Sequence, residues 1–248
     1  MLDSVEVLLS HAAVLGAAAP LRCLYEAMLS VEWMLEADST IRAKRFYVQN
    51  LRSEQTSLNR CVSGTDENAA FSHVFDAVHG LESRVAPREQ EMKDRIHEIE
   101  QFLNSPTYKA INSEFNQARG KMPYDADWFK LGDGPKSIRS IADKLGNGAL
   151  AEYDVYYSRL SEICHARSSK EHMGFRDGAI DFELIRSPEA ANETIRYAAV
   201  VSKRIYKALL KKYRPGEDSL DRMWSQDWWP VIEKAASVKM NFDYMSPP

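Results

Sequence analysis

Between Pro20 and Ala37 the apolar residues Leu21, Leu24, Met28, Val31 and Leu35 recur at alternating spacings of three and four. That is the period of an α-helix with one face turned to a core, whereas a strand alternates every second residue. Helical period returns along most of the chain and predicts an all-α fold. Helices are expected at about 4–17, at about 20–37 with Pro20 in the first turn, and at about 39–61. Gly64, Thr65 and Asp66 then close one helix and cap the next. From 67 to about 104 the pattern stays helical but very polar, with a fresh start at Pro87. A short helix and a loop holding Trp128 and Phe129 follow, then a helix from Pro135 to Leu145 that ends at Gly146. Asn147 is placed to cap the next helix, at about 148–168. Met173 to Phe182, with Asp177-Gly178 at its centre, reads as two short extended pieces around a turn. Helix resumes at Ser187-Pro188 and runs to about Tyr213. The expectation is a single helical domain over 1–248, a multi-helix bundle with one small glycine hairpin between the last long helices. It carries a polar helical arm at about 67–120 and a Trp-rich helical tail at about 216–248.

A chain of 248 residues is long enough to bury a real core. The longest apolar run, Ala12 to Leu21, is half the ~20 residues of a membrane helix, so no membrane partner is expected. The acidic start, Met1 to Glu6, lacks the basic flank of an export signal. Cys23, Cys61 and Cys164 are odd in number and widely spaced, which predicts reduced thiols in a cytoplasmic protein. A net charge of −4 argues against nucleic-acid binding through bulk charge and leaves room for a local basic patch. The histidine pairs His73/His79 and His165/His172 lack the spacing and acidic companions of a zinc site. No glycine-rich phosphate loop and no Gly-x-Ser-x-Gly elbow is present. Neither metal nor cofactor is expected.

Chemistry concentrates in the helix after Gly148. Leu150, Tyr153, Tyr157, Leu160 and Cys164 form its apolar seam, and one position on lie Ala151, Asp154, Ser158, Ser161 and His165, a polar stripe about 100° around the axis. Ser161 and His165 are one turn apart. Arg159 lies six residues before the histidine and about 120° from it, so a shared site depends on arginine's reach or on a second subunit. A histidine beside a buried seam is also a common hydrogen-bonded structural residue.

The Arg159-x5-His165 spacing resembles the Arg-x4-6-His motif of the HEPN superfamily of helical nucleotide-binding domains, many of them metal-independent RNA nucleases that pair two subunits at one site. The resemblance implies proton transfer by His165 and charge stabilisation by Arg159. A wider set of segments runs Pro20 to Ala27, Trp33, Arg42-Ala43, Trp128, Lys136 to Ala142 and Tyr153 to Ala166. It is similar, from about residue 10 to 210, to the bacterial family known as domain of unknown function five-six-seven-seven. That pattern has an Arg-x-x-aromatic-Glu motif, here Arg22 to Glu26, and a Tyr-x-x-x-Ser-x-x-x-His motif, here Tyr157 to His165. Arg159 is not characteristic of it. The two motifs suggest Arg22 and Glu26 on one helix facing Ser161 and His165 on another, as a site or as a structural hydrogen-bond network.

Lys203, Arg204, Lys207, Lys211, Lys212 and Arg214 make one helix end strongly basic. They serve either as a solvated end that complements the helix dipole or as a phosphate-binding stripe joined by Arg167 and Lys170. The C-terminal tryptophans read as core or subunit contacts. The function expected from these signals is a HEPN-like endoribonuclease or toxin-like defence effector acting on RNA. It would be homodimeric and restrained by an inhibitory protein partner, with Arg22, Glu26 and Asp154 as the polar shell around Arg159, Ser161 and His165. The alternative is a non-enzymatic helical module that binds a protein or a nucleotide.

Overall fold

The computed structural model describes residues 1–11, 13–77, 85–120, 124–146, 148–164, 173–176, 178–182 and 188–237. The fold is all-α, with one two-stranded hairpin. Its elements are α1 (Leu2–Ser10), α2 (Val14–Glu36), α3 (Ser39–Asn59), α4 (Asp66–Ala77), α5 (Glu89–Leu103), α6 (Lys109–Arg119) and α7 (Ile138–Leu145). Next come α8 (Ala149–Glu152), a π turn (Tyr153–Tyr157), α9 (Ser158–Cys164), β1 (Met173–Arg176) and β2 (Ala179–Phe182). The chain continues through α10 (Pro188–Tyr213), α11 (Asp218–Met223), a second π turn (Trp224–Trp228) and α12 (Trp229–Ala235). The expected hairpin is present: β1 and β2 pair antiparallel, Met173 opposite Phe182 and Arg176 opposite Ala179, with Gly178 at φ 80° in the turn.

Contacts divide the chain into two compact units. The first comprises 1–37 with 137–248, the second 38–136, so the polar arm expected at about 67–120 falls inside a unit that begins at Asp38.

In the first unit α2 is the central helix, packed by α1, α7, α9 and α10. Leu21, Leu24 and Met28 of its predicted seam are buried, and so are Ala17, Ala18, Tyr25, Leu29 and Trp33. Helices on several sides widen a seam into most of the circumference. The start expected at Pro20 is displaced: α2 begins at Val14 and carries Pro20 in its interior. α1 ends at Ser10 instead, and Ala13 N donates to Leu8 O at 2.8 Å. Gly16 lets α2 lie close to α1, since a Cβ there would come within 3.3 Å of Leu8 Cδ2. By length and a mean hydropathy of 1.3, α2 is long and apolar enough to cross a membrane. α7 opens on Ser137, whose hydroxyl accepts from Ser140 N at 3.1 Å.

The second unit gathers Val48, Leu51, Ile99, Leu103, Ile111 and Phe115 around α3, α5 and α6. The expected cap is realised: Thr65 Oγ1 accepts from Asn68 N at 3.0 Å and opens α4. Trp128 and Phe129, read as loop residues, form a buried single turn. Gly134 is obligatory beside it, since a Cβ there would lie 1.9 Å from the Phe129 carbonyl oxygen. Arg52 is the polar centre. Its Nε and Nη2 donate to Asp125 at 2.7 and 2.9 Å, and Nη1 donates to Asn112 and Asn116 at 2.5 and 2.9 Å.

Candidate functional site

Arg22 and Glu26 stand one turn apart on α2, and Arg22 Nε donates to Glu26 Oε1 at 3.0 Å. The partner that reaches them across the helix interface is Tyr157. Its hydroxyl accepts from Arg22 Nη2 at 2.9 Å and donates to Glu26 Oε1 at 2.8 Å, while the guanidinium carbon sits 5.0 Å from the ring centroid. The three groups thus close a small hydrogen-bonded ring. The ring is not sealed, because the Arg22 and Glu26 side chains keep 22% and 34% exposure. Burial, then the hydrogen bond to anionic Glu26, pushes the Tyr157 hydroxyl up to about 12. Burial pulls the Arg22 guanidinium down, but its bonds to Tyr157 and Glu26 outweigh that and leave it above its ordinary value.

Tyr157 closes a π turn, in which Ser158 N donates to Tyr153 O, five residues back. Such turns carry an extra residue per turn and recur at functional sites. The insertion breaks the 3-4 count used on the sequence. Tyr157 is buried as the seam requires, yet Cys164, expected in the same seam, is exposed. Past the insertion each side chain is displaced around the axis from where an uninterrupted α-helix would put it.

The other expected site residues divide as follows. Ser161 is half-buried and Arg159 exposed on α9. Asp154 turns away from the Arg22–Glu26 pair and meets Arg139 of α7, both oxygens at 3.2 Å from guanidinium nitrogens. His165, Arg167 and Lys170 lie outside the described residues. The sequence singled out Arg22 and Glu26 but read Tyr157 as apolar filling. The signal for its polar role was the first position of the Tyr-x-x-x-Ser-x-x-x-His motif.

A second polar cluster went unread. Arg204 of α10 donates to both oxygens of Glu32 on α2, at 2.9 and 2.6 Å, and to Glu152 of α8. Between the two clusters lies a tyrosine stack: Tyr197 packs on Tyr156 at 4.3 Å and on Tyr25 at 5.9 Å. Tyr25 Oη donates to the Ala149 carbonyl at 3.3 Å. The Tyr197 hydroxyl is buried with no hydrogen-bond partner among the described residues. Burial first, then neighbouring charge, holds both hydroxyls well above the usual phenol range.

Lys203, Lys207 and Lys211 line a cleft of 370 Å³ together with Trp224 and Trp228 of the second π turn. Trp228 is 51% exposed, so the core is not its place.

No curated protein and no solved structure matches the chain. A family profile, that of a family of unknown function (DUF5677), matches residues 1–180. The match takes in α2 and the Tyr157 segment and stops short of α10, whereas the sequence likeness was read to about 210. The two segments that meet at Arg22, Glu26 and Tyr157 are therefore both inside the match, and the chain belongs to the DUF5677 family.

Proposed function

We propose that this protein is a HEPN-like endoribonuclease or toxin-type defence effector that acts on RNA where the Arg22–Glu26 pair meets the Tyr157–His165 segment. One observation carries the reading: two sequence motifs far apart in the chain converge on a hydrogen-bonded and partly exposed Arg22–Glu26–Tyr157 ring. Ionisable groups gathered at a partly open helix interface are candidates for a functional site. His165 takes the proton of the RNA 2′-hydroxyl, whose oxygen attacks phosphorus; the bond to the 5′-oxygen breaks and that oxygen takes up a proton. Arg159 offsets the charge on the phosphorane, with Ser161 beside it. Arg22, Glu26 and Tyr157 are positioning residues that hold α9 at its angle to α2. The products are a 2′,3′-cyclic phosphate and a 5′-hydroxyl, so no water is consumed in the step, and the proposed roles of His165 and Arg159 call for no metal.

A homodimer is part of the proposal, because the spacing of Arg159 and His165 would set them about 120° apart on a regular helix and a second copy would supply the missing approach. An inhibitory protein partner would keep such an activity in check. The cytoplasm is the proposed compartment: Arg22, Glu26 and Glu32 of α2 each bond to another helix, an arrangement suited to a core helix and costly in lipid.

The second reading, a non-enzymatic helical module, draws on the same ring, since its three groups satisfy one another and would fix the α2–α9 register without any ligand. One experiment separates the two. Purified protein is incubated with single-stranded and structured RNA in EDTA beside His165→Ala and Tyr157→Phe, product ends are mapped, and melting temperatures are recorded. Cleavage to cyclic phosphate ends that His165→Ala abolishes at unchanged Tm supports the nuclease. An inactive parent enzyme ends that reading.

A further inference from the structure

We propose that the cleft between the C-terminal half of α10 and the second π turn holds a nucleotide moiety, either free or as one residue of an RNA strand. Four cations, Lys203, Lys207, Lys211 and Arg214, face it, against the two carboxylates Glu217 and Asp221. The excess of two positive charges selects an anion. The existing ion pairs are loose: Lys203 and Lys207 share Asp221 at 3.7 and 3.5 Å, and Arg214 stands 3.4 Å from Glu217. Charge-assisted hydrogen bonds are shorter than that, so a phosphate at normal distance improves on every one of them.

The anion site has an aromatic wall. Trp224 and Trp228 lie with centroids 5.5 Å apart at 56°, and Lys203 stands 5.8 Å over the Trp224 ring. Trp228, 51% exposed, presents its ring to the cleft. Cations at the end of a helix offset its dipole in many proteins, but that role explains neither a half-exposed Trp228 nor the π turn that sets it on the same cleft as the lysines. A flat ring to stack on the exposed indole, joined to a phosphate, matches both halves, and 370 Å³ falls in the range of small-ligand clefts.

This site is separate from the Arg22–Glu26–Tyr157 ring. Lys207 lies ten residues beyond Tyr197 along α10, about 15 Å by helical rise, and the proposal does not rest on cleavage. The test is calorimetric titration of the full chain with AMP, adenosine, ribose 5-phosphate and a short single-stranded oligoadenylate, repeated with Lys211→Gln, Trp228→Ala and Trp228→Phe. AMP or the oligonucleotide should bind saturably, and AMP more tightly than either of its fragments. Lys211→Gln and Trp228→Ala should each weaken binding by about tenfold at unchanged Tm, with Trp228→Phe restoring most of it. Binding of AMP alone assigns a free nucleotide, and binding of the oligonucleotide assigns a strand. The proposal is overturned if neither binds, if ribose 5-phosphate binds as tightly as AMP, or if the Lys211 and Trp228 variants bind like the parent. Failure here leaves the nuclease reading standing or falling on the parent protein and His165→Ala alone, which do not alter this cleft.

Discussion

The Tyr157 hydroxyl both accepts from Arg22 and donates to Glu26, and the two carboxylate–guanidinium partners remain bonded to each other without it. Tyr157→Phe should therefore lower stability by about 1–2 kcal/mol in urea melts, the worth of one hydrogen-bonded hydroxyl in a partly buried place. The direction of the Tyr157 shift also gives a pH test. Its folded-state value, about 12, lies above the ordinary phenol value of 10.0. The native state thus holds the proton longer, and the stability this supplies is complete below pH ~10 and lost as pH rises through the folded value. Tyr25 and Tyr197 shift the same way. Absorbance at alkaline pH should show these phenols ionising late, together with unfolding, and Tyr157→Phe should flatten the fall in stability across that window. Cys164 supplies a test of the π turn: it and Cys23 are exposed while Cys61 is half-buried, so Ellman's reagent should label two thiols quickly and one slowly. A regular helix with Cys164 in its seam would give the opposite order for that residue. Arg22 and Glu26 were legible because they lie one turn apart beside an apolar seam, close enough to pair, and fall in the Arg-x-x-aromatic-Glu motif. Tyr157 was not, because a tyrosine in a seam looks identical whether its hydroxyl is bonded or merely tolerated.

Among elements, α10 is joined to α2 by more than apolar contact. Arg204 holds Glu32 and Glu152 at once, with side-chain exposures of 26%, 19% and 35%. Arg204→Ala leaves two half-buried carboxylates facing each other and should cost about 2–3 kcal/mol in denaturant melts, with little change in the m-value. Arg139→Ala breaks a pair that is more than half solvated on the arginine side, at 57%, and should cost less than about 1 kcal/mol. Equal losses for the two variants would contradict this ranking. Most elements could be read from local chemistry: Thr65 as a cap, the Gly178 turn, the Leu21–Leu24–Met28 seam. Both misplacements have tertiary causes. Pro20 reads as a helix start because its ring suits a first turn, yet packing on four neighbouring helices carries α2 through it. The π turn at 153–157 leaves no mark on the apolar pattern, since its extra residue shows only once a partner helix decides which side is inside.

For the molecule as a whole, the Arg52 network belongs to the second unit alone. Arg52 and Asp125 are 11% and 18% exposed, so Arg52→Ala strands a carboxylate and two amides and should remove about 3 kcal/mol. Hydrogen exchange should register the loss in α3, α5 and α6 before α2. Sequence did not locate this division, because it depends on which distant helices share a core and not on any local signal. It also separates neighbours in time. The first unit is assembled from the two ends of the chain, with the second placed between them. On the ribosome, at about 5–20 residues per second, residues 38–136 can finish folding while α2, a long apolar helix, still waits for Ile138 and everything after it to be synthesised. Every nascent copy therefore passes several seconds with much of that helix's apolar face still bare, and a chain stopped after residue 136 would never cover it.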